Sequence, residues 1–361
     1  MIHVILPSLR ISGGVKEALR LGEELAACGH EVDVWTLWRG SHAVAANGLR
    51  VVELSQWVTR VRWAALQLPA LMLAFARRAA RGRGSGWQIF IFTHYATSPL
   101  AVLIRPSRRW FFVQDLEWRF VRHAGLRALL KAVVLGLYRR GRLIAANDYL
   151  ASELRALGLE VAVQAPIWAD AAFRDEGNRE RDIDVVMMLR KGDHKRLDLY
   201  RQALEQLACG PQHRTTAVIT PDDDIAAQVA AHASHLDVRP DAAAMRALYA
   251  RTRLFLMLSE HEGFGLPPLE AMGSGCVPLC RDSGGVRAYM TGELRELLLP
   301  LDWPVERIAQ RIDDLLTSPE ALQRYSTAAR AVFDAGLRRS QSRAVSVAAA
   351  MWSATQSEVR S

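Results

Sequence analysis

Cysteines and long hydrophobic runs are scarce in this sequence of 361 residues, and each absence excludes a class of protein. The four cysteines form no C-x-x-C pair and have no histidines at the spacing of a zinc site, so they are expected to be reduced thiols in a cytoplasmic protein. The longest apolar stretch, residues 63–76, is too short to span a bilayer and is interrupted by Gln67 and Pro69. No basic and then apolar signal segment follows Met1.

Acidic residues are under-represented in the first half of the chain. Residues 1–165 carry 22 Lys and Arg against 11 Asp and Glu, whereas residues 166–361 carry 24 against 27. A composition that joins basic, tryptophan and apolar residues favours an anionic membrane surface, so we predict a peripheral protein of the inner membrane. A core helix with a solvated basic flank is the plainer alternative, and nucleic acid is not expected as a partner, because no nucleic-acid-binding motif is present. The stretches concerned are residues 119–142 and a cluster of Trp57, Arg60, Arg62, Trp63, Arg77, Arg78, Arg81 and Arg83.

Strand-like and helix-like segments alternate from the start of the chain. A polar stretch interrupts the alternation, which resumes at the strand-like run Asp184–Met188. Such β-α-β repetition is typical of α/β proteins with doubly wound parallel sheets. The chain is therefore predicted to contain an N-terminal domain over 1–165, a linker over 166–182, a second domain over 183–335 and a C-terminal helix over 336–361.

The most informative stretch is SEHEGFGLPPLEAMGSGCVPL, over residues 259–279. Glu262 and Glu270 stand eight positions apart, separated by a glycine-rich segment and two prolines. An apolar run precedes this segment and a helix-forming run follows it, which predicts a strand, a loop and a helix start. Glycines let a ligand meet the backbone, and the free N–H groups of a helix start favour an anion. Two carboxylates beside such a loop suit the hydroxyl groups of a sugar.

This stretch resembles the E-x7-E signature of retaining, nucleotide-sugar-dependent glycosyltransferases with the GT-B fold, in family 4 and its relatives. The match extends over the phrase E-G-F-G-L-P-x-L-E-A-M. The resemblance implies two Rossmann-like domains with a cleft between them and a C-terminal helix that crosses back. It also implies that Glu270 binds the ribose hydroxyls of the nucleotide and that Glu262 holds the sugar, aided by the amides of Gly263, Phe264, Gly265 and Leu266. A capped surface helix with a solvated Glu270 is the alternative interpretation.

Arg190 and Lys195 follow the first strand of the second half, in the run MLRKGDHKRLDLY. Two cations across a short loop can hold a diphosphate, and an arginine can do so with two parallel hydrogen bonds. In the resembled family an arginine and a lysine at this spacing hold the donor's diphosphate, which implies that role for Arg190 and Lys195. Lys191 and Arg196 are neighbouring substitutes, and a basic surface loop is the alternative.

Two further glycine pairs follow predicted strands. Gly13 and Gly14 lie between the first strand and the first helix, where the resemblance implies contact with the donor phosphate or the acceptor. Ser283 and Gly284 resemble the start of the family's second glycine pair, near the nucleotide. Arg287 lies in the region where the family often has an acidic residue. No G-x-G-x-x-G dinucleotide fingerprint is present, and a simple turn is the alternative at the first pair.

The first half departs from the resembled family. Many relatives carry a histidine after the strand that here reads Trp110–Val113, whereas this chain has Gln114 and Asp115. The phrase F-V-Q-D-x-E is similar to a branch of bacterial rhamnosyltransferases that build surface polysaccharides such as O-antigen. A rhamnosyl donor lacks the 6-hydroxyl that such a histidine reaches, so the expected donor is dTDP-rhamnose or another nucleotide-diphosphate hexose. His94 is a further candidate for the acceptor or the phosphate, with a purely structural strand-end histidine as the alternative.

The predicted enzyme needs no metal and no cofactor besides its nucleotide-sugar substrate. The acidic runs at 182–184 and 222–224 match the D-x-D metal motif of another glycosyltransferase fold, but we interpret them as a strand entrance and a helix start. Glu262, Arg190 and Lys195 are the predicted catalytic residues, and the acceptor is predicted to be a glycan or a lipid-linked oligosaccharide. A nucleotide-sugar epimerase or hydrolase of the same fold, or a catalytically silent subunit that scaffolds polysaccharide assembly, are the alternative functions.

Overall fold

The computed structural model describes two compact units of the chain, one formed by residues 1–167 with 341–361 and the other by residues 168–340. The residues described are 1–9, 12–38, 47–54, 64–81, 87–175, 177 and 180–359, without the side chains of 64–70, 81 and 357–359. Within these ranges, no helix combines the length and the hydropathy that crossing a bilayer requires. Part of the predicted basic and tryptophan cluster lies outside the described residues, namely Trp57, Arg60, Arg62, Trp63 and Arg83.

Unit 1 is built on a seven-stranded sheet in which every strand pair is parallel. The strand order is β3-β2-β1-β4-β5-β6-β7, so the chain winds one way from β1 and the other way from β4. Its elements up to residue 167 are β1 (Ile2–Leu6), α1 (Gly13–Ala27), β2 (Val32–Thr36), β3 (Arg50–Glu53), α2 (Ala64–Arg81), β4 (Ile89–Phe92), β5 (Arg109–Val113), α3 (Ala124–Tyr138), β6 (Arg142–Ala145), α4 (Asp148–Ala156) and β7 (Val161–Gln164).

The central strands of unit 1 are covered on both faces. Every residue of β1, β2, β4 and β5 is buried, so these strands are largely apolar rather than alternating, although β1, β2 and β5 also bury His3, Asp33 and Arg109. Ser12 begins α1 by accepting a 3.2 Å hydrogen bond from the Val15 amide, which satisfies one of the unpaired donors of the first turn.

Unit 2 repeats the same winding with a six-stranded parallel sheet in the order β10-β9-β8-β11-β12-β13. The prediction of two α/β domains with doubly wound parallel sheets is therefore confirmed. The elements of unit 2 are β8 (Ile183–Met188), α5 (Leu197–Cys209), β9 (Thr216–Thr220), α6 (Asp223–Val229), β10 (His235–Val238), α7 (Ala242–Arg251), β11 (Thr252–Met257), α8 (Leu266–Gly273), β12 (Val277–Arg281), β13 (Leu298–Leu299), α9 (Val305–Leu316) and α10 (Pro319–Ser340).

The C-terminal part of the chain contributes one helix to each unit. The helix α10 ends at Ser340 in unit 2, and α11 (Arg343–Val359) belongs to unit 1, where it packs against α1 and β7. Within unit 2, α10 lies close to Trp168, because a Cβ atom on Gly336 would come within 2.0 Å of the Trp168 ring. The Trp168 indole N–H also donates to the Phe333 carbonyl at 2.9 Å.

A buried cluster of charges attaches α11 to α1. The Arg343 guanidinium is 1% exposed and donates to Glu17 Oε2 at 2.9 Å and to Glu24 Oε2 at 2.7 Å. It also donates to the Pro166 carbonyl at 3.2 Å. Burial raises the pKa of Glu17, and the charge of Arg343 opposes that rise. The arginine therefore balances two carboxylates in a site from which water is largely excluded.

Removing Arg343 should destabilise unit 1, because the buried Glu17 carboxylate would lose its nearest cation and retain the more distant Arg20, at 3.9 Å. We expect Arg343→Met to lower the free energy of unfolding by about 3–5 kcal/mol, measured by urea denaturation. Arg338→Met, at an exposed arginine of α10, is the matched control and should change the same quantity by less than about 0.5 kcal/mol. Equal effects of the two substitutions would contradict a stabilising role for the buried cluster.

Candidate functional site

The predicted donor residues of unit 2 come together at the carboxyl ends of three strands. Loops follow β8, β11 and β12 there, and β8 and β11 are the neighbouring strands from which the chain winds in opposite directions. Ligands of doubly wound sheets bind at such a switch point, outside the carboxyl ends of the strands. Arg190 and Lys195 lie after β8, Glu262 lies after β11, and Ser283 and Gly284 lie after β12.

The loops after β11 and β12 are locked together through their backbones. The Glu262 amide donates to the Ser283 carbonyl at 3.1 Å, and the Gly285 amide donates to the Glu262 carbonyl at 2.9 Å. A Cβ atom on Gly285 would lie 2.3 Å from the carbonyl carbon of Gly263, so no other residue fits there without separating the loops. Gly284 has a φ of 93°, a conformation that residues with a side chain rarely adopt. The sequence pattern identified this glycine pair but not the loop that it touches.

The loop after β8 is attached to the same assembly. The Glu260 amide donates to the His194 carbonyl at 2.8 Å, and the Leu258 amide donates to the buried Tyr200 hydroxyl, also at 2.8 Å. Burial lowers the pKa of His194, with a further contribution from Lys195. Sequence reasoning did not identify His194 or Tyr200, because each is hydrogen-bonded to a backbone amide of the loop after β11, and a sequence motif gives no information on such a contact.

Lys195 is paired with Glu262. Its Nζ donates to Glu262 Oε1 at 2.8 Å, and the two side chains are 24% and 15% exposed. The two substitutes considered for Lys195 have other partners: Lys191 pairs with Asp224, and Arg196 pairs with Asp198. Of these three neighbouring cations, Lys195 is the one that contacts a carboxylate of the E-x7-E pair.

The second glutamate of the pair lies on α8. Gly265 precedes this helix with a φ of 80° and accepts a 2.8 Å hydrogen bond from the Tyr289 hydroxyl. Prolines occupy the first turn, where their missing N–H groups break no helical hydrogen bond. Glu270 is half-buried near Tyr249, whose pKa is raised by burial and then by the charge of Glu270. The charge of Arg190 opposes this rise in the pKa of Tyr249.

The Phe264 side chain belongs to the core of unit 2. Its ring is buried and lies 5.9 Å from the Trp168 ring and 5.4 Å from the Tyr289 ring, measured between centroids. Only the backbone of Phe264 is therefore available to a ligand. The buried aromatic ring instead fixes the position of the glycine-rich loop.

The predicted residues of unit 1 lie at the carboxyl ends of β1, β4 and β5. Gln114 Nε2 donates to the Gly14 carbonyl at 3.0 Å, which joins the loop after β5 to the start of α1 beside Gly13. The nearby Asp115 accepts a 2.8 Å hydrogen bond from the Leu116 amide. His94 follows β4, and its Nδ1 accepts a 3.1 Å hydrogen bond from the Ala96 amide, while burial lowers the pKa of this histidine.

Glu117 is a further residue of this region that sequence reasoning did not select. Its Oε1 accepts a 3.1 Å hydrogen bond from the Tyr95 amide, which connects the loops after β4 and β5. The pKa of Glu117 is raised to about 8, chiefly by burial and to a smaller extent by the charge of Asp115, while the hydrogen bond from the Tyr95 amide opposes the rise. Glu117 is the glutamate of the phrase F-V-Q-D-x-E, but nothing in that phrase indicates that its side chain is buried.

The acidic runs at 182–184 and 222–224 have cationic partners. Asp182 pairs with Arg251 immediately before β8, and Asp223 pairs with Arg239 in the first turn of α6. Their interpretation as a strand entrance and a helix start is confirmed. Among the described residues, no group of three or more His, Cys, Asp or Glu side chains is placed to hold a metal ion. The metal independence of the reaction stays a prediction.

Comparison with known proteins points to one family. Residues 169–332, somewhat less than half of the chain, match the model of the family described as glycosyl transferases group 1. A putative glycosyltransferase 41 of a Sulfolobus islandicus filamentous virus is 40% identical over 67 residues. A GDP-mannose:cellobiosyl-diphosphopolyprenol alpha-mannosyltransferase of Komagataeibacter xylinus is 32% identical over 121 residues. These matches span 18% and 30% of the length of the two curated relatives.

The fold also matches a solved structure over the full chain. The structure of Alr3699/HepE from Anabaena, solved in complex with UDP and glucose, has a TM-score of 0.68 and 14% sequence identity to this protein. The similarity covers 100% of this chain and 99% of the other. At this identity the similarity concerns the fold alone. The chain has the GT-B fold, and its residues 169–332 match the model of the group 1 glycosyltransferases.

Proposed function

We propose that this protein is a retaining glycosyltransferase that moves a hexose from a nucleotide-diphosphate donor to a hydroxyl group of a glycan. The observation that carries the proposal is the Lys195–Glu262 pair, held at the switch point of unit 2 inside the segment that matches the family model. Similar proteins support the donor class, since one is a GDP-mannose-dependent mannosyltransferase and the structure of another was solved with UDP and glucose.

Each site residue has a role that its chemistry allows. Lys195 and the exposed Arg190 hydrogen-bond the diphosphate and stabilise the negative charge that develops as the glycosidic bond breaks. Glu262 accepts hydrogen bonds from sugar hydroxyls, with the backbone of Gly263, Gly265 and Leu266 around it. Glu270, which lies on α8, accepts hydrogen bonds from the ribose hydroxyls of the nucleotide. The acceptor hydroxyl attacks from the side on which the nucleotide leaves, without a protein nucleophile.

The proposed donor is a 6-deoxy sugar nucleotide, dTDP-rhamnose. Gln114 stands where many relatives carry a histidine, and its amide is already hydrogen-bonded to the Gly14 carbonyl at 3.0 Å. A side chain occupied in this way suits a sugar that has no 6-hydroxyl to be held. Of the similar proteins, one uses GDP-mannose and another was solved with UDP and glucose. Sugars of dTDP, GDP and UDP therefore have to be compared directly as donors.

The proposed acceptor is a lipid-linked oligosaccharide at an anionic membrane surface. Leu126, Leu129 and Val133 of α3 are 55%, 61% and 48% exposed, and Arg127 and Lys131 lie among them. The sequence from 118 to 147 contains no acidic residue. An apolar helix face with a basic flank inserts at the boundary between headgroups and acyl chains, and each basic residue adds about 1 kcal/mol of attraction.

Lys195→Ala should slow donor turnover, because the leaving diphosphate loses a cation. The expected loss is roughly 2–4 kcal/mol of transition-state stabilisation, which corresponds to a rate about 30- to 900-fold lower, measured as nucleotide diphosphate release in the presence of acceptor. Lys191→Ala, at a neighbouring lysine that pairs with Asp224, is the control and should keep nearly full turnover. Unchanged turnover in Lys195→Ala, or equal losses in both variants, would remove Lys195 from the mechanism.

A thermal-shift screen over UDP-, GDP- and dTDP-sugars tests the donor assignment, because a ligand that binds only the folded protein raises its Tm. We expect the largest shift from dTDP-rhamnose. Gly285→Ala should abolish the shift, since the added Cβ atom would force apart the loops that carry Glu262 and Ser283. Gly136→Ala, where a Cβ atom on α3 meets nothing within 4 Å, should leave the shift intact. A larger shift with another sugar would correct the donor, and no shift with any would reject the site.

Flotation with liposomes that contain anionic phospholipid tests the membrane proposal. Leu126→Ser combined with Leu129→Ser should reduce the fraction of protein that floats, because the apolar face of α3 is then lost. Val345→Ser is the control, since this residue of α11 is 61% exposed and lies outside the basic stretch. Equal flotation of all three proteins, or no binding by the unmodified protein, would favour an acceptor in solution.

A further inference from the structure

The segment from Thr93 to Ser98, at the carboxyl end of β4, is a rigid turn. The His94 carbonyl accepts hydrogen bonds from the Thr97 amide at 2.9 Å and from the Thr97 hydroxyl at 2.7 Å. It also accepts from the Ser98 amide and hydroxyl, each at 3.1 Å. Thr93 Oγ1 donates to the Ile5 carbonyl of β1 at 2.9 Å. The turn is thus fixed both to itself and to the central strand of the sheet.

This rigid turn holds an aromatic ring in solvent. Tyr95 is 39% exposed, although its amide is hydrogen-bonded to Glu117 Oε1 at 3.1 Å. Its ring lies against the His94 ring, with 4.4 Å between the centroids and 36° between the planes. An exposed aromatic ring on a fixed base presents a flat apolar face with a polar edge, which is an arrangement common at binding surfaces.

Polar side chains follow the same strand as Tyr95, and also its neighbour. His94 Nδ1 accepts from the Ala96 amide, so in the neutral imidazole the Nε2 atom carries the proton and is a donor. Asp115 and Gln114 follow β5, the strand next to β4, and both are half-buried. A pyranose has C–H groups on its faces and hydroxyl groups on its edge, and this set of groups is complementary to both.

We propose that Tyr95, stacked on His94, is the platform on which a pyranose ring of the acceptor glycan lies, and that Glu117 is the residue that positions it. The proposal rests on the proposed transferase function and adds the acceptor subsite to it. The Tyr95 ring contacts the C–H face of the sugar, and His94 Nε2 and the Asp115 carboxylate hydrogen-bond its hydroxyls. Glu117 acts through the Tyr95 backbone and does not contact the sugar.

The protonation state of Glu117 sets the charge next to the proposed subsite. Its Oε2 atom is fully enclosed and has no hydrogen-bond partner among the described residues. The titratable groups that face it are Asp115 at the end of β5 and Tyr138 of α3. Burial raises the pKa of Glu117 to about 8, so in the folded protein the carboxyl is neutral below that pH. The free energy of unfolding therefore falls as the pH rises from the ordinary glutamate pKa to about 8, and it stays low above that pH. Ionisation strengthens Glu117 Oε1 as the acceptor from the Tyr95 amide, but it also places a second negative charge beside Asp115, next to the proposed sugar subsite.

Steady-state kinetics with a soluble acceptor oligosaccharide test the platform. Tyr95→Ala should raise the acceptor KM about tenfold, whereas Tyr95→Phe should keep it, because the loss is that of the aromatic face. The donor KM and the donor thermal shift should stay unchanged in both variants. Trp352→Ala, at a tryptophan of α11 that is 67% exposed, is the matched control and should alter neither KM. If the unmodified protein shows no transfer, the proposed function fails. If it transfers sugar and Tyr95→Ala leaves the acceptor KM unchanged, only the platform fails.

The pH profile of the acceptor KM tests the positioning role of Glu117. In the unmodified protein, this KM should rise as the pH passes through about 8. Glu117→Gln keeps an oxygen that can accept from the Tyr95 amide but does not ionise, so its KM should be flat over the same range. Its Tm should also fall less than that of the unmodified protein between pH 5 and pH 8. A parallel rise of the KM in both proteins would overturn the assignment to Glu117.

Discussion

The candidate donor site depends on the close contact between the loops that follow β11 and β12. Gly285 lies against the Gly263 carbonyl, and the Glu262 backbone exchanges hydrogen bonds with Ser283 and Gly285 on either side of that contact. Because the two loops share these bonds, the backbone of Glu262 is fixed, and its carboxylate is then held by Lys195. Buried backbone groups need such partners, so the interlock also satisfies amides that a longer loop would leave unpaired.

The charged side chains near these loops also have defined partners. Lys195 is held by Glu262, while its neighbours Lys191 and Arg196 are engaged with aspartates, so the three adjacent cations have different surroundings. The helix α8 begins at Gly265, beside the same loop, and directs its positive end toward the carboxyl edge of the sheet. A diphosphate at this edge would meet a lysine, an arginine and backbone amides. This is a preorganised environment for a leaving group whose charge grows during the reaction.

Much of the fold could be predicted from the sequence, because the central strands are apolar runs and the helices have apolar positions at helical spacing. The strand β10, with the sequence HLDV, and the two-residue β13 gave no such signal, since partly exposed edge strands and very short strands lack a continuous apolar run. The motif around Glu262 and Glu270 identified the loop and helix that carry them. It could not show that Phe264 is buried, that Lys195 contacts Glu262, or that Glu117 connects two loops. Those contacts depend on residues far apart in the chain, which single-sequence patterns do not record.

The most direct test of the central claim is a crystal structure of the protein soaked with the nucleotide sugar that gives the largest thermal shift. The account predicts that the diphosphate lies within hydrogen-bond distance of Arg190 and Lys195, with the sugar hydroxyls at Glu262 and the ribose hydroxyls at Glu270. A nucleotide sugar bound elsewhere on unit 2, with the interlocked loops making no contact to its diphosphate, would contradict it.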